Sequence, residues 1–94
     1  MKIRWLRTAL LNLDEEAAYI AAEDPAAARL VVVRIVEAVA MLASQPAIGR
    51  PGRVLGTREL LVPKTRYLIP YRIRAEQVEI LRVLHTSRKP PKHW

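Results

Sequence analysis

Arg72, Arg74, Arg82, Arg88 and Lys89 crowd the last quarter of the chain, with His85 among them. Cations of this kind stabilise phosphate charge, and a histidine titrates near neutral pH. His85 therefore has two readings. It could move a proton, or it could close a strand and satisfy a local hydrogen bond. No carboxylate lies near His85 or His93 in sequence, so neither a Ser-His-Asp grouping nor a metal set is evident. The acidic run Asp14-Glu15-Glu16 reads as a solvated helix face. Gly49-Arg50-Pro51-Gly52 lacks the Gly-Lys-Ser/Thr and the following helix of a phosphate-binding loop, and reads as a connection. The absence of cysteine excludes disulfides, thiolate metal sites and cysteine nucleophiles.

A chain of 94 residues makes one domain, 1–94. Half of it is apolar but it contains no Phe, so the core must be aliphatic, with Trp5, Tyr19, Tyr67 and Tyr71 as its large candidates. The net charge of +7 is uneven. Residues 1–49 hold five Lys/Arg and six Asp/Glu, whereas residues 50–94 hold eleven and three. A basic half attracts nucleic acid, an anionic membrane or an acidic protein, or simply keeps a protein soluble. Met-Lys-Ile-Arg-Trp lacks a signal-peptide apolar core, and the longest uncharged run, Ala38 to Gly49, is too short to span a membrane. A cytoplasmic protein is expected.

The elements that must position these residues follow from periodicity. Lys2 to Trp5 alternates and predicts a short strand. Leu10, Leu13, Ala17, Ile20 and Ala21 repeat at helical spacing and predict a helix over Arg7 to Glu23. Asp24-Pro25 breaks it and caps a second helix, Pro25 to about Ala43, with a stripe of Ala28, Val31, Ile35, Val39 and Leu42. So short a break makes the two helices an antiparallel hairpin. Three strands follow: Arg58 to Val62, Tyr67 to Arg74 and Gln77 to His85, with turns at Pro63–Arg66 and Ala75-Glu76. Tyr67, Ile69, Tyr71 and Ile73 should face the helices, and Leu68, Pro70, Arg72 and Arg74 the open side. Pro70 cannot donate to a ladder, so a distortion is expected there. Both faces of the last strand are apolar, and Arg82 is placed on the open face beside Arg72. The basic tail, 86–94, contains two prolines and should be non-helical, and disordered without a partner. The architecture is α+β: an N-terminal strand and an antiparallel helix hairpin packed on a small, mainly antiparallel β-sheet.

Specific words stand at specific places in this order. Tyr19-Ile20-Ala21 ends the first helix, and Asp24-Pro25-Ala26-Ala27-Ala28 opens the second. Leu42 to Pro46 and Gly49-Arg50 close it; Gly56-Thr57-Arg58-Glu59-Leu60 opens the sheet. Tyr71-Arg72-Ile73 sits in the middle, and Val78 to His85 closes it. From Trp5 to Arg88 the chain resembles the RelE/ParE toxin superfamily, and within it the ParE branch.

That resemblance implies the toxic half of a type II toxin–antitoxin pair, neutralised by a small ParD-like antitoxin. ParE-type toxins poison DNA gyrase, whereas RelE-type toxins cut messenger RNA on the ribosome. The RelE-like pattern has lysines where this chain has Glu59 and Leu61, and an arginine where it has Leu68; only Arg88 falls where a basic residue is expected. The expectation is a non-enzymatic gyrase inhibitor without cofactor, metal or catalytic residue. The alternatives are a RelE-like endonuclease, or a decayed toxin that only binds antitoxin. Candidate contacts to target or antitoxin are Arg72, Arg74, Arg82, His85, Arg88, Lys89 and Trp94. Candidate apolar contacts to the antitoxin are Leu11, Val32 and Val36.

Overall fold

The computed structural model describes all of residues 1–94. Strand β1 (Lys2–Trp5) turns Ile3 and Trp5 toward the core and leaves Lys2 and Arg4 exposed. Helix α1 spans Arg7–Ala21. Its inward stripe is Ala9, Leu13, Glu16 and Ile20, not the stripe through Leu10 and Ala17; Leu10 is 47% exposed. The phase moved because the stripe contains a carboxylate, which hydrophobic periodicity cannot count. Helix α2 (Pro25–Ala40) starts as its sequence requires: the Asp24 side chain accepts from the Ala27 N–H at 3.0 Å and Pro25 occupies the first turn. A 3-10 turn, Met41–Ala43, continues it and keeps Leu42 buried.

The helices cover one face of a sheet whose strand order is β1-β5-β4-β3-β2. Its members are β2 (Arg50–Pro51), β3 (Arg58–Leu61), β4 (Tyr67–Arg74), β5 (Gln77–Ile80) and β6 (Leu84–His85), the last pairing with β4. The β1–β5 pair is parallel and the rest are antiparallel. Ile35, Val39 and Leu42 from the helical layer meet Ile69, Tyr71, Val78 and Ile80 from the sheet. Each such fully buried side chain contributes about 1.5–3 kcal/mol over leaving it exposed. Ile73, expected inward, lies at the strand end and is 43% exposed.

The long last strand is in fact two. Tyr71 pairs with Ile80, but Leu68 pairs with Leu84, so Leu81, Arg82 and Val83 oppose only Ile69 and Pro70. That extra residue is a β-bulge. The Pro70 carbonyl accepts from the Leu81 N–H at 2.9 Å, and the irregular ladder falls beside the proline that has no N–H to give. The bulge also explains why both faces looked apolar. Val78 and Ile80 point into the core before it, and Val83 after it, so the inward set changes parity. Arg82 then falls on the open side with Arg72, while Leu81 stays buried at 4% exposure.

Two further contacts fix the connections. The Tyr71 hydroxyl donates to the Pro46 carbonyl at 2.7 Å and accepts from the Gly49 N–H at 2.9 Å, tying the helix-to-sheet loop to the central strand. Gly49 is needed because a Cβ there would stand 2.6 Å from that hydroxyl oxygen. The β4–β5 turn places Ala75 and Glu76 at φ 52° and 59°, the left-handed values of a two-residue hairpin. The tail beyond Thr86 has no helix or strand, as its prolines require. It folds back rather than standing away: the Arg53 guanidinium donates to the Pro91 carbonyl and lies 4.9 Å from the Trp94 ring. Arg82 donates twice to the Trp94 carbonyl, at 3.2 and 2.8 Å.

Candidate functional site

Three surfaces carry the polar and apolar groups available for function. The first is a corner where α1, β4 and the segment after β6 meet. Glu16 is buried there, not solvated, and accepts from the Tyr67 hydroxyl at 2.9 Å and from Arg88 at 2.5 Å. The Arg88 guanidinium also lies 5.7 Å from the centre of the Tyr19 ring. Burial, reinforced by the Glu16 carboxylate, pushes the Tyr67 phenol up to about 12. The hydrogen bond from Arg88 to Glu16 raises the guanidinium further above its ordinary range. His85 meets Tyr67 edge to face, and its Nδ1 accepts from the Ser87 N–H at 3.2 Å. An amide N–H can only donate, so the neutral ring carries its proton on Nε2.

The chemistry open to this corner is narrow. Tyr67 stays protonated at neutral pH, and Arg88 is engaged by a carboxylate. Nδ1 of His85 already holds a hydrogen bond. An isolated guanidinium would be a stronger phosphate ligand than one whose charge is compensated at 2.5 Å. On the RelE-like positions, Glu59 is a buried carboxylate that accepts from the Arg53 N–H at 2.9 Å and from Arg50 at 3.4 Å. Leu61 is half exposed and Leu68 partly buried. No three His, Asp or Glu side chains converge as a metal set would.

The second surface is the open face of the sheet. Arg72 donates to Glu79 at 2.6 Å, and Arg4 reaches the other oxygen of the same carboxylate at 3.8 Å. The Arg72 hydrogen bond holds the Glu79 carboxyl below the usual carboxylate range, against the opposing effect of burial. Arg74 and Lys2 are exposed at the end of this face, and Arg82 with Trp94 borders it. The predicted basic set therefore divides. Arg72, Arg74, Arg82 and Trp94 share the open face, whereas His85 and Arg88 belong to the corner around Glu16. Lys89 lines that same corner.

The third surface is apolar. Ala17, Ala18 and Ala21 of α1 and Ala28, Val32 and Val33 of α2 line an open groove of about 520 Å³ on the outside of the hairpin. Val36 is one turn beyond Val32, and Leu11 two turns from Ala18; both are nearly half exposed and continue the groove away from the hairpin loop. Small residues let a partner approach closely here. Of the groove residues, Val32 was among the candidate apolar contacts, whereas Ala17 and Ala21 were expected on the inward stripe of α1 and line the groove instead. Tyr67 is buried as expected of a core aromatic, but Tyr19, expected in the core, is 72% exposed, and Glu16, expected in solvent, is buried; the available signal was a carboxylate four residues before Ile20 in an inward stripe.

Comparison with known proteins agrees with this geometry. Residues 3–90 match the family model described as ParE toxin of type II toxin-antitoxin system, parDE. The chain belongs to the ParE toxin family. A relative from Sinorhizobium fredii, named "Putative toxin Y4kP", is 52% identical over 91 residues, covering 97% of this chain and 94% of the relative. A solved structure titled "Chromosomal ParDE TA system from P. aeruginosa" superposes with a TM-score of 0.80 at 31% identity, covering 90% of this chain and 95% of that one. The protein is thus a ParE-like toxin of a type II toxin–antitoxin system, and such a system supplies an antitoxin as partner. No helix of the toxin is long and apolar enough to cross a membrane.

Proposed function

We propose that this toxin acts in the cytoplasm by binding DNA gyrase, without chemistry of its own, and that a ParD-like antitoxin neutralises it in a hetero-oligomer. The observation that carries the non-enzymatic reading is the Glu16–Arg88 pair. The one arginine at a RelE-like position is compensated by a buried carboxylate, and a second carboxylate, Glu59, stands where the endonuclease pattern has a lysine. Phosphodiester cleavage needs uncompensated cations and a free base. Gyrase as the target is the reading that membership of the ParE family and the same shortage of cleavage groups support.

The antitoxin reading is supported by the groove on the hairpin. A segment with small apolar anchors spaced for one helix face would fill it. An acidic segment would associate faster with a toxin of net charge +7, while buried apolar contacts would slow its release. The test is DNA supercoiling by purified gyrase. The toxin should suppress it, and added antitoxin should restore it. Undiminished supercoiling at large toxin excess would remove gyrase as the target, and transcript cleavage on ribosomes would restore the endonuclease reading.

A further inference from the structure

The charge of this toxin is segregated by layer. Residues 6–49, which form the helical layer and its exit loop, hold six Asp/Glu and three Lys/Arg. The open face of the sheet is the reverse. The pairing Lys2↔Gln77↔Arg74 sets one row across β1, β5 and β4, and Arg4↔Glu79↔Arg72 sets the next. Four cations thus stand at the corners of a rectangle about 6.6 Å along the strands and about 9.6 Å across them. The neutral Gln77 and one carboxylate, Glu79, lie between them; Glu79 is buried at 7% exposure and braces two of the arginines. Arg50 over Glu59 extends the face toward the opposite edge.

We infer that this open face docks the phosphate backbone of duplex DNA. Solubility alone asks for interspersed charge, not for a basic sheet beneath an acidic hairpin. A protein partner would need apolar anchors at the centre of its footprint, and the centre here is Arg4, Glu79 and Arg72. A single strand would need aromatic platforms, but Trp94, the aromatic bordering this face, is already stacked on Arg53. Duplex DNA offers closely spaced phosphates and asks only for positioned cations. Arg4 and Arg72 share the single Glu79 carboxylate, so this group keeps a net positive charge, unlike the one-to-one Arg88–Glu16 pair, and the shared brace limits the freedom lost on contact. The inference goes beyond the gyrase reading without resting on it, since the toxin should bind a duplex with no gyrase present.

The test is fluorescence anisotropy of an end-labelled mixed-sequence duplex of about 20 base pairs, titrated with the whole toxin at several salt concentrations. Each phosphate contact contributes about −0.9 to the log–log salt slope. Lys2, Arg4 and Arg74, the most open cations not held one-to-one by a carboxylate, then give about −2.7, or roughly 40-fold weaker binding at 200 mM than at 50 mM salt. The double variant K2A/R74A should flatten the slope by about 1.8. R29A, on the acidic hairpin, should leave it unchanged, and K2R/R74K should retain binding and control for misfolding. Absence of duplex binding at 50 mM salt with tens of micromolar toxin would overturn the inference. So would equal weakening by R29A, or tighter binding of a single-stranded RNA or an acidic peptide than of the duplex.

Discussion

The buried link between Glu16 and Tyr67 makes the most specific energetic prediction. Glu16→Ala removes the acceptor of a phenol that is only 5% exposed and leaves its O–H without a partner. A buried orphan of this kind costs about 1–3 kcal/mol, so with lost packing the variant should be destabilised by about 2–3 kcal/mol. Tyr67→Phe alone deletes the donor but leaves Glu16 engaged by Arg88, and should cost about 1 kcal/mol. The double variant has no orphan phenol, so it should be no worse than Glu16→Ala alone. That implies a coupling of at least about 1 kcal/mol in a urea-unfolding double-mutant cycle. The same link predicts the alkaline limb. Tyr67 is raised to about 12 in the folded toxin, against 10.0 for an ordinary phenol. Its contribution is therefore complete below pH 10 and is lost as pH climbs through 12, on the order of 2–3 kcal/mol in all. Glu16→Ala should narrow that window without closing it, because burial is the larger cause. Strict additivity of the two substitutions, or an unchanged Tyr67 titration in Glu16→Ala followed by carbon-13 NMR of the ring, would refute the reasoning.

Other substitutions test the packing and the turns. Gly49→Ala forces a methyl against the Tyr71 hydroxyl and should cost about 1–3 kcal/mol in thermal or urea unfolding. Ala75→Asn with Glu76→Gly suits the two left-handed turn positions and should stabilise the protein by about 1–2 kcal/mol, raising its melting temperature. Glu79→Gln should flatten the acid limb of stability. The Glu79 carboxyl is depressed by Arg72, so its contribution is present above about pH 4.5 and fades as pH falls through the lower folded value.

Much of the fold was legible because its signals are local. Asp24-Pro25 announced the second helix through its own capping chemistry, and the stripe from Ala28 to Leu42 was read in the correct phase. The first helix was misphased because Glu16 occupies an inward position, and its partners lie 51 and 72 residues away. No periodicity reports contacts at that distance. The last strand was read as continuous because a bulge exchanges inward for outward residues and leaves both parities apolar. The proline that cannot join the ladder was visible, and the irregularity expected at Pro70 is where the register shifts. Of the candidate contacts, the arginines of β4 could be assigned to one face by alternation alone. Arg88 could not, because its position depends on a carboxylate from the other end of the chain. The docking of Trp94 against Arg53 and Arg82 likewise depends on a loop and a bulge that bring distant segments together.

The central claim, that the toxin grips its target and performs no cleavage, is tested most directly by stoichiometry. Toxin is titrated into a fixed concentration of gyrase, and supercoiled product is measured alongside the integrity of a translated messenger in a reconstituted system. The account predicts that supercoiling falls in proportion to added toxin and levels off near equivalence with gyrase subunits, with the messenger intact throughout. Messenger cleaved by toxin at a small fraction of the ribosome concentration, with supercoiling untouched, would contradict it.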